Sequence, residues 1–507
     1  MALARTWSVG LIGLEGHLVD IEVDLNDGLP TFTMVGLPDT SVREAHDRIR
    51  SALANSGLDW PKRRMTVNLS PATLPKRGSG FDLALAVAVL AAARVVPLAP
   101  LGDAVLIGEL GLDGRVRPLR GVLPAVLAAR RAGRTRAIVP VDNLAEASLV
   151  PQTSVQGVGC LRELVDHLRG GDNQLATGVV VLTSPAPRTA DLRDIVGQAQ
   201  GRRAVEVAAA GGHHLYLQGP PGAGKTMLAE RLCGILPPLA DDEALEVTSI
   251  HSLSGMLPAG AALVRRPPYE SPHHTSSTAS IVGGGAGLAR PGAASRAHRG
   301  VLFLDEAPEF TAGVLDALRQ PLESGEVVLY RSAGRTRYPA AFQLVLAANP
   351  CPCASPAGDQ ACVCSSMTRR RYLARLSGPL LDRVDLHVTL LPVTRQALLS
   401  DVGGPEDSDQ VALRVCRARA AAEERLGVVG LRRNADLPGP ALRRRWRPAR
   451  PAMSGVETAL DRGQLSARGV DRVLRVAWTL ADLAGRTSPG RDELDEALGM
   501  RVRAVAA

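Results

Sequence analysis

The chain has 507 residues, of which 45% are hydrophobic and only 3% aromatic, and its formal charge is +8. That length leaves room for roughly three domains of ordinary size, and the basic balance favours an acidic partner such as nucleic acid only weakly. No charge-free run of about twenty apolar residues occurs, so a membrane-spanning helix is not expected. The first residues acquire Glu15, Asp20 and Glu22 too early for a secretory segment, and seven cysteines in so long a chain make no disulfide framework. A cytoplasmic protein is expected.

In chain order, residues 7 to about 35 read as strands with turn signals. PDTSVREAHDRIRSALANSG predicts a helix capped near Asp39 or Thr40 and stopped at Gly57. MTVNLS reads as a strand and FDLALAVAVLAAARVV as a buried helix. DAVLIGEL and RVRPL read as paired strands, and VLPAVLAARRAG as a further helix. These make a first domain over 1–168. Residues 169–190, rich in Gly, Ser and Pro, read as a linker. From Asp191 strands and helices alternate: HHLYLQ, GKTMLAERLCGIL, GVLFLDE, TAGVLDALRQPLESG, FQLVLAAN. That order predicts an α/β domain with a largely parallel sheet over 191–398. Residues 399–507 are Arg-rich and read as mostly helical.

GPPGAGKT, residues 219–226, fits the P-loop pattern between a strand and a helix. Gly219, Gly222 and Gly224, with Pro220, Pro221 and Ala223 between them, let the backbone wrap a phosphate, and the helix that follows offers free amides. Lys225 is expected to reach the β- and γ-phosphates of ATP, and Thr226 to place its hydroxyl on Mg²⁺. Only three of the 59 basic residues are lysine (Lys62, Lys76, Lys225), which suits a site that wants a compact point charge rather than a guanidinium fork. VLFLDE, residues 301–306, reads as a buried strand that delivers Asp305 to Mg²⁺ and Glu306 to the attacking water. LVLAAN ends in Asn349, a candidate to orient that water or, on pattern alone, a turn residue before Pro350.

Four of the seven cysteines fall in NPCPCASPAGDQACVC, residues 349–364. Two C-x-C pairs in a cytoplasmic chain suggest a structural Zn²⁺ held by Cys351, Cys353, Cys362 and Cys364, against unligated thiols in a loop. His273 and His274 are adjacent, with no third ligand near, and read as loop histidines.

These motifs, with SGPLLDRVDLH, LSARGVDRVLRVAWTLADLAG, SPHHTSSTASIVGGG and LRQPLESGEVVLYR, resemble the ComM/YifB branch of the magnesium-chelatase-like AAA+ ATPases over nearly the whole chain. The resemblance implies an AAA+ core followed by a helical lid. It further implies an insert over about 252–299, a pre-sensor hairpin over about 326–345 and a Cys-rich insert at 351–364. Arg383 would be an arginine finger reaching a neighbouring subunit, and Arg468 a second sensor from the lid. Arg331, Arg335 and Arg337 would grip DNA from the hairpin, or form a solvated turn. A homo-hexameric ring acting on DNA with other recombination proteins is the implied assembly.

PKRGSGFDLALAVAVLAA and IGELGLDGRVRPLRGVLPAVLAARRAG resemble the Lon protease domain, an α+β fold of the ribosomal S5 domain 2 type. The family's nucleophilic serine falls on Gly80 and its lysine on Leu123, neither of which supports Ser–Lys chemistry. The resemblance implies a non-proteolytic scaffold. Three functions are weighed: a DNA motor for branch migration or integration of incoming DNA, a motor subunit for metal insertion into a porphyrin, and an ATP-dependent protease. Gly80 and Leu123 count against the last. A Lon-like first domain counts against the second, on the expectation that chelatase likeness is confined to the later part of the chain.

Overall fold

The computed structural model describes residues 2–171, 174–178, 190–257, 260, 262–285, 289–331, 334–354, 362–392 and 406–501. The first domain forms around an antiparallel pair, β1 (Ala2–Ile12) and β2 (Glu15–Asn26), which pair from end to end. Further strands are β3 (Thr31–Val35), β4 (Arg64–Ser70), β5 (Val105–Leu106), β6 (Glu109–Leu110), β7 (Val116–Arg117), β8 (Arg136–Pro140), β9 (Ser154–Val158) and β10 (Ala176–Thr177). All but β6 and β7 join one mixed sheet, β10-β9-β8-β5-β1-β2-β4-β3, and those two pair as a separate ribbon. The helix Asp82–Ala92 is apolar on nearly every face because it packs against β1 and β2 and is buried along almost its whole length. Asp39 caps as expected, accepting the Val42 amide at 2.9 Å.

β10 lies in the stretch read as linker and pairs antiparallel with β9, so the first sheet extends to Thr177. A two-residue strand carries no periodicity to read. The remainder of that stretch, 179–189, lies outside the described residues.

The second domain carries five parallel strands: β11 (Leu215–Gln218), β12 (Tyr269–Glu270), β15 (Val301–Leu304), β18 (Gln343–Ala348) and β19 (Leu386–Thr389), in the order β12-β15-β18-β11-β19. β15 and β18 are buried at every position, as strands covered on both faces must be. β12 sits inside the interval taken as an insert, where it forms the sheet's edge. The rest of that interval includes a small ribbon, β13 (Gly283–Gly284) with β14 (Arg290–Pro291). β16 (Glu326–Arg331) and β17 (Gly334–Pro339) form the expected hairpin, whose tip at 332–333 and the Arg331 side chain lie outside the described residues.

The C-terminal region is helical, with long helices Ser408–Leu426 and Ala467–Leu483 packed on the helix Ala199–Gly211. Val415, Val473 and Trp478 share one core with Val205, Leu217 and Leu228, so the C-terminal helices and the parallel-sheet domain bury a common apolar surface. A buried polar junction reinforces it. Asp385, just before β19, accepts from Arg472 Nη1 at 3.0 Å and lies 3.3 Å from His213 Nδ1, whose Nε2 is 2.7 Å from Thr479 Oγ1.

Candidate active site

Parallel strands open their C-terminal edge to ligands, and here three neighbours deliver the motif residues to that edge. β11 runs into the glycine loop, β15 into Asp305 and Glu306, and β18 into Asn349. The register brings them together: Gln218 pairs with Ala348, Leu304 with Leu346, and the Gly219 amide donates to the Ala348 carbonyl at 3.1 Å. Gly222 and Gly224 have φ of +77° and +87°, conformations that favour glycine. Gly219 is required for space, since a Cβ there would come 2.8 Å from the Leu390 carbonyl oxygen.

Lys225 is the first residue of the helix Lys225–Ile235, whose N-cap, Gly224, offers no side-chain cap. Its ammonium donates to the carbonyls of Gly219 (2.7 Å) and Pro220 (2.9 Å) and to Asn349 Oδ1 (3.0 Å). Burial pushes its pKa down, opposed by the charges of Asp305 and Glu306. A buried cation resting on loop carbonyls, beside uncapped helix amides, is a donor set suited to phosphate oxygens. Thr226 Oγ1 donates to Asp305 Oδ2 at 2.8 Å, which places a hydroxyl and a carboxylate side by side as a Mg²⁺–phosphate pair requires. Glu306 is exposed and adopts φ +49°, a left-handed conformation uncommon outside glycine.

Asn349 is buried and its Oδ1 accepts from Lys225, the cation expected to meet phosphate. Sequence reasoning missed one participant. His274, read as a loop histidine, lies just beyond β12, the strand beside β15, and its Nδ1 is 3.4 Å from Glu306 Oε2. Both ends of that contact are visible in the sequence, but their pairing depends on the two-residue strand β12.

The two arginines taken from the resemblance are elsewhere. Arg383 follows the short helix Gly378–Leu381 and is held by Glu323 and the Pro379 carbonyl, while its Nε is buried without a partner among the described residues. Arg468 is exposed in the first turn of the lid helix Ala467–Leu483. On the hairpin, Arg335 and Arg337 are exposed, and the Arg335 guanidinium lies 5.7 Å from the ring centre of Tyr330, itself exposed. Tyr330 is a second residue that sequence reasoning passed over.

Cys351, Cys353, Cys362 and Cys364 converge, with all four sulfurs within 4.8 Å of one another. The sulfur–sulfur separations are 3.0 Å (Cys351–Cys353), 3.3 Å (Cys351–Cys362) and 3.5 Å (Cys353–Cys362). Tetrahedral thiolate coordination at about 2.3 Å has sulfur–sulfur edges of roughly 3.8 Å, so the set fits a metal after slight expansion. Burial, with hydrogen bonds from the neighbouring thiols, pushes the Cys351 thiol up to about 12, which a bound cation would reverse.

In the first domain, Ser79 Oγ bonds Glu109, and the buried Lys76 ammonium bonds the Pro71 carbonyl. Leu123 is fully buried in the core. No helix among the described residues is long and apolar enough to cross a membrane.

Family models for magnesium chelatase, subunit ChlI, match residues 191–398; for subunit ChlI of Mg-chelatase, 21–143; and for the ChlI C-terminal region, 405–501. The match at 21–143 removes the expectation that chelatase likeness is confined to the later part of the chain. An uncharacterized protein of Mycobacterium tuberculosis is 57% identical over 501 residues, 99% of each chain. Competence protein ComM of Haemophilus influenzae is 42% identical over 506 residues, 99% of this chain and 98% of its own. The uncharacterized protein YifB of Salmonella typhimurium is 42% identical over 508 residues, 99% and 97%. The first domain alone is similar to the Lon protease of Syntrophomonas wolfei, 29% identical over 143 residues, 27% of this chain and 17% of that one.

Proposed function

The chain belongs to the ComM/YifB family of magnesium-chelatase-like AAA+ proteins, and on that premise we propose that it is an ATP-driven ring motor that remodels DNA during recombination or uptake of incoming DNA. The observation that carries this reading is one assembled nucleotide site and one exposed cationic hairpin in the same domain. Lys225 and the glycine loop hold the phosphates, and Thr226 and Asp305 hold Mg²⁺. Bound there, ATP would supply the phosphoryl group and Mg²⁺ would neutralise its charge. Glu306 orients the attacking water and takes its proton, and His274 holds the Glu306 carboxylate.

Arg383, placed by the resemblance, acts across a subunit boundary in a hexamer. Arg468 contacts nucleotide from the lid, which shares the ATPase core. Arg335 and Arg337 contact phosphates, and Tyr330 offers a stacking face; such contacts ignore sequence and weaken with salt. The four cysteines hold a structural Zn²⁺ that staples the segment between Asn349 and Arg383. The first domain serves as a non-proteolytic scaffold, the Ser79 and Lys76 side chains being engaged with other partners. Other recombination proteins are the expected partners, in the cytoplasm.

Chelatase-type metal insertion is the second reading, favoured by the three family matches described as chelatase subunits. One comparison separates the two. Steady-state ATP hydrolysis, measured with and without single-stranded DNA, is expected to rise with DNA. A rate indifferent to DNA, together with porphyrin metallation in the presence of chelatase partner subunits, would favour the second reading.

A further inference from the structure

A cleft of about 720 Å³ opens at the seam between the first domain and the ATPase domain, away from the P-loop. Val9, Leu11, Leu119 and Val122 of the first domain and Leu253 of the second line it with apolar surface. Tyr338 closes part of the floor, its hydroxyl bonded to the Ala289 carbonyl. Arg77 and Arg120 reach the cleft from the first domain, and Arg290 from β14 in the second. Among the described residues no aspartate or glutamate lines it directly, though Glu109 accepts from the lining Ser79. None of the three guanidiniums makes a hydrogen bond or ion pair with the described residues. The wall includes Gly78, Ser79 and Gly80, the place where the Lon-like resemblance puts its nucleophile.

Each feature narrows the occupant. The volume is that of a small-molecule site rather than a water pocket. Three arginines with no carboxylate among them match a multiply charged anion, and guanidinium geometry suits phosphate oxygens. The apolar lining suits a heterocycle rather than a bare sugar–phosphate backbone, which would leave that surface unfilled. We infer that this cleft is a second nucleotide site, distinct from the P-loop, which takes a nucleoside polyphosphate with its phosphates on Arg77, Arg120 and Arg290 and its base on the apolar lining. A ligand there touches both domains, and Tyr338 belongs to the DNA hairpin's own strand β17. Occupancy therefore favours the docked arrangement of the first domain against that hairpin. The inference does not rest on the DNA reading and stands or falls separately from it.

The test uses the full chain carrying Lys225→Ala, which removes the P-loop cation. Fluorescent mant-ADP and mant-GDP are titrated by anisotropy, and 8-azido nucleotide is photo-crosslinked and mapped. Binding of one nucleotide per chain is expected to persist in Lys225→Ala. Arg77→Glu and Arg290→Glu, on opposite walls, should each weaken it by about tenfold or more, since each removes a charge-assisted hydrogen bond. Arg77→Lys should restore most of the loss. The photolabel should fall within 77–81 or 119–125, a readout that needs no arginine variant to fold. Loss of all nucleotide binding in Lys225→Ala would overturn the inference. So would residual binding that neither charge reversal weakens, or a label placed elsewhere.

Discussion

His274 Nδ1 stands 3.4 Å from Glu306 Oε2, so the segment leaving the edge strand β12 touches the carboxylate assigned to the attacking water. Glu306 is exposed and held in a left-handed conformation, and little else fixes its side chain. A polar contact of about 1 kcal/mol corresponds to a roughly fivefold change in rate. His274→Ala is therefore expected to lower the kcat of ATP hydrolysis by about that factor and leave KM for ATP unchanged. A variant with an altered KM and an unchanged kcat would show that the contact serves binding instead.

The trans role of Arg383 is tested by mixing. Arg383→Ala and Glu306→Gln chains should each hydrolyse ATP poorly alone, with losses of about a thousandfold for a missing arginine finger. Co-assembled, they create sites with an intact Glu306 from one chain and an intact Arg383 from its neighbour. Recovery of hydrolysis on mixing is the expected result. Mixtures as inactive as their components would place Arg383 in its own subunit's structure, where Glu323 already holds it.

Removing the metal should act on the cysteine segment rather than on the nucleotide site. About one zinc per chain is expected by elemental analysis, lost in a Cys351→Ser/Cys364→Ser variant that still binds ATP. A wild-type chain purified without chelators and free of metal would contradict the assignment.

The sheet edge facing the lid makes stability depend on pH. Burial lowers the pKa of His214 from 6.5 to about 4, with Asp385 opposing and Arg472, Arg433 and His213 reinforcing the shift. The ring accepts the Leu344 amide through Nδ1 at 3.0 Å, which requires that nitrogen to be unprotonated. Below pH 6.5 the unfolded chain takes up this proton before the folded one does. Stability is thus full above 6.5 and falls as pH drops towards about 4, by up to about 1.4 kcal/mol per pH unit for this one group. Asp385, held well below the usual carboxylate range despite its burial by His213 and Arg472, adds a loss of the same sign at still lower pH. Urea midpoints at pH 7 and pH 5 should differ in the wild type and converge in His214→Gln. Parallel curves for the two proteins would remove His214 as the cause.

The candidate nucleotide site was legible because its motifs are local: a glycine loop between strand and helix, and a buried strand ending in two carboxylates. The sheet edge that gathers Gly219, Asp305 and Asn349 follows from that strand–helix alternation. Other parts were not legible in the residues. Arg383 and Arg468 rested on resemblance, because arginine is so common in this chain that no single one stands out. β10 and β12 are two residues long and show no period, and without β12 the pairing of His274 with Glu306 has no visible cause. The cysteine spacing suggested convergence, and the sulfurs do converge. The arginine-lined cleft could not be foreseen, because its walls come from segments more than 150 residues apart, Arg77 from one domain and Arg290 from the other.

The central claim is that hydrolysis at Lys225, Asp305 and Glu306 moves DNA strands. The most direct measurement is strand displacement on a labelled forked or four-way DNA junction, with purified protein, Mg²⁺ and ATP, alongside Glu306→Gln and an Arg335→Glu/Arg337→Glu variant. The account predicts ATP-dependent strand movement by the wild type. Glu306→Gln should bind the junction without moving it. The hairpin variant should show weaker, less salt-dependent binding and little movement. A wild-type protein that hydrolyses ATP at the same rate with or without the junction, and moves no strand, would contradict it.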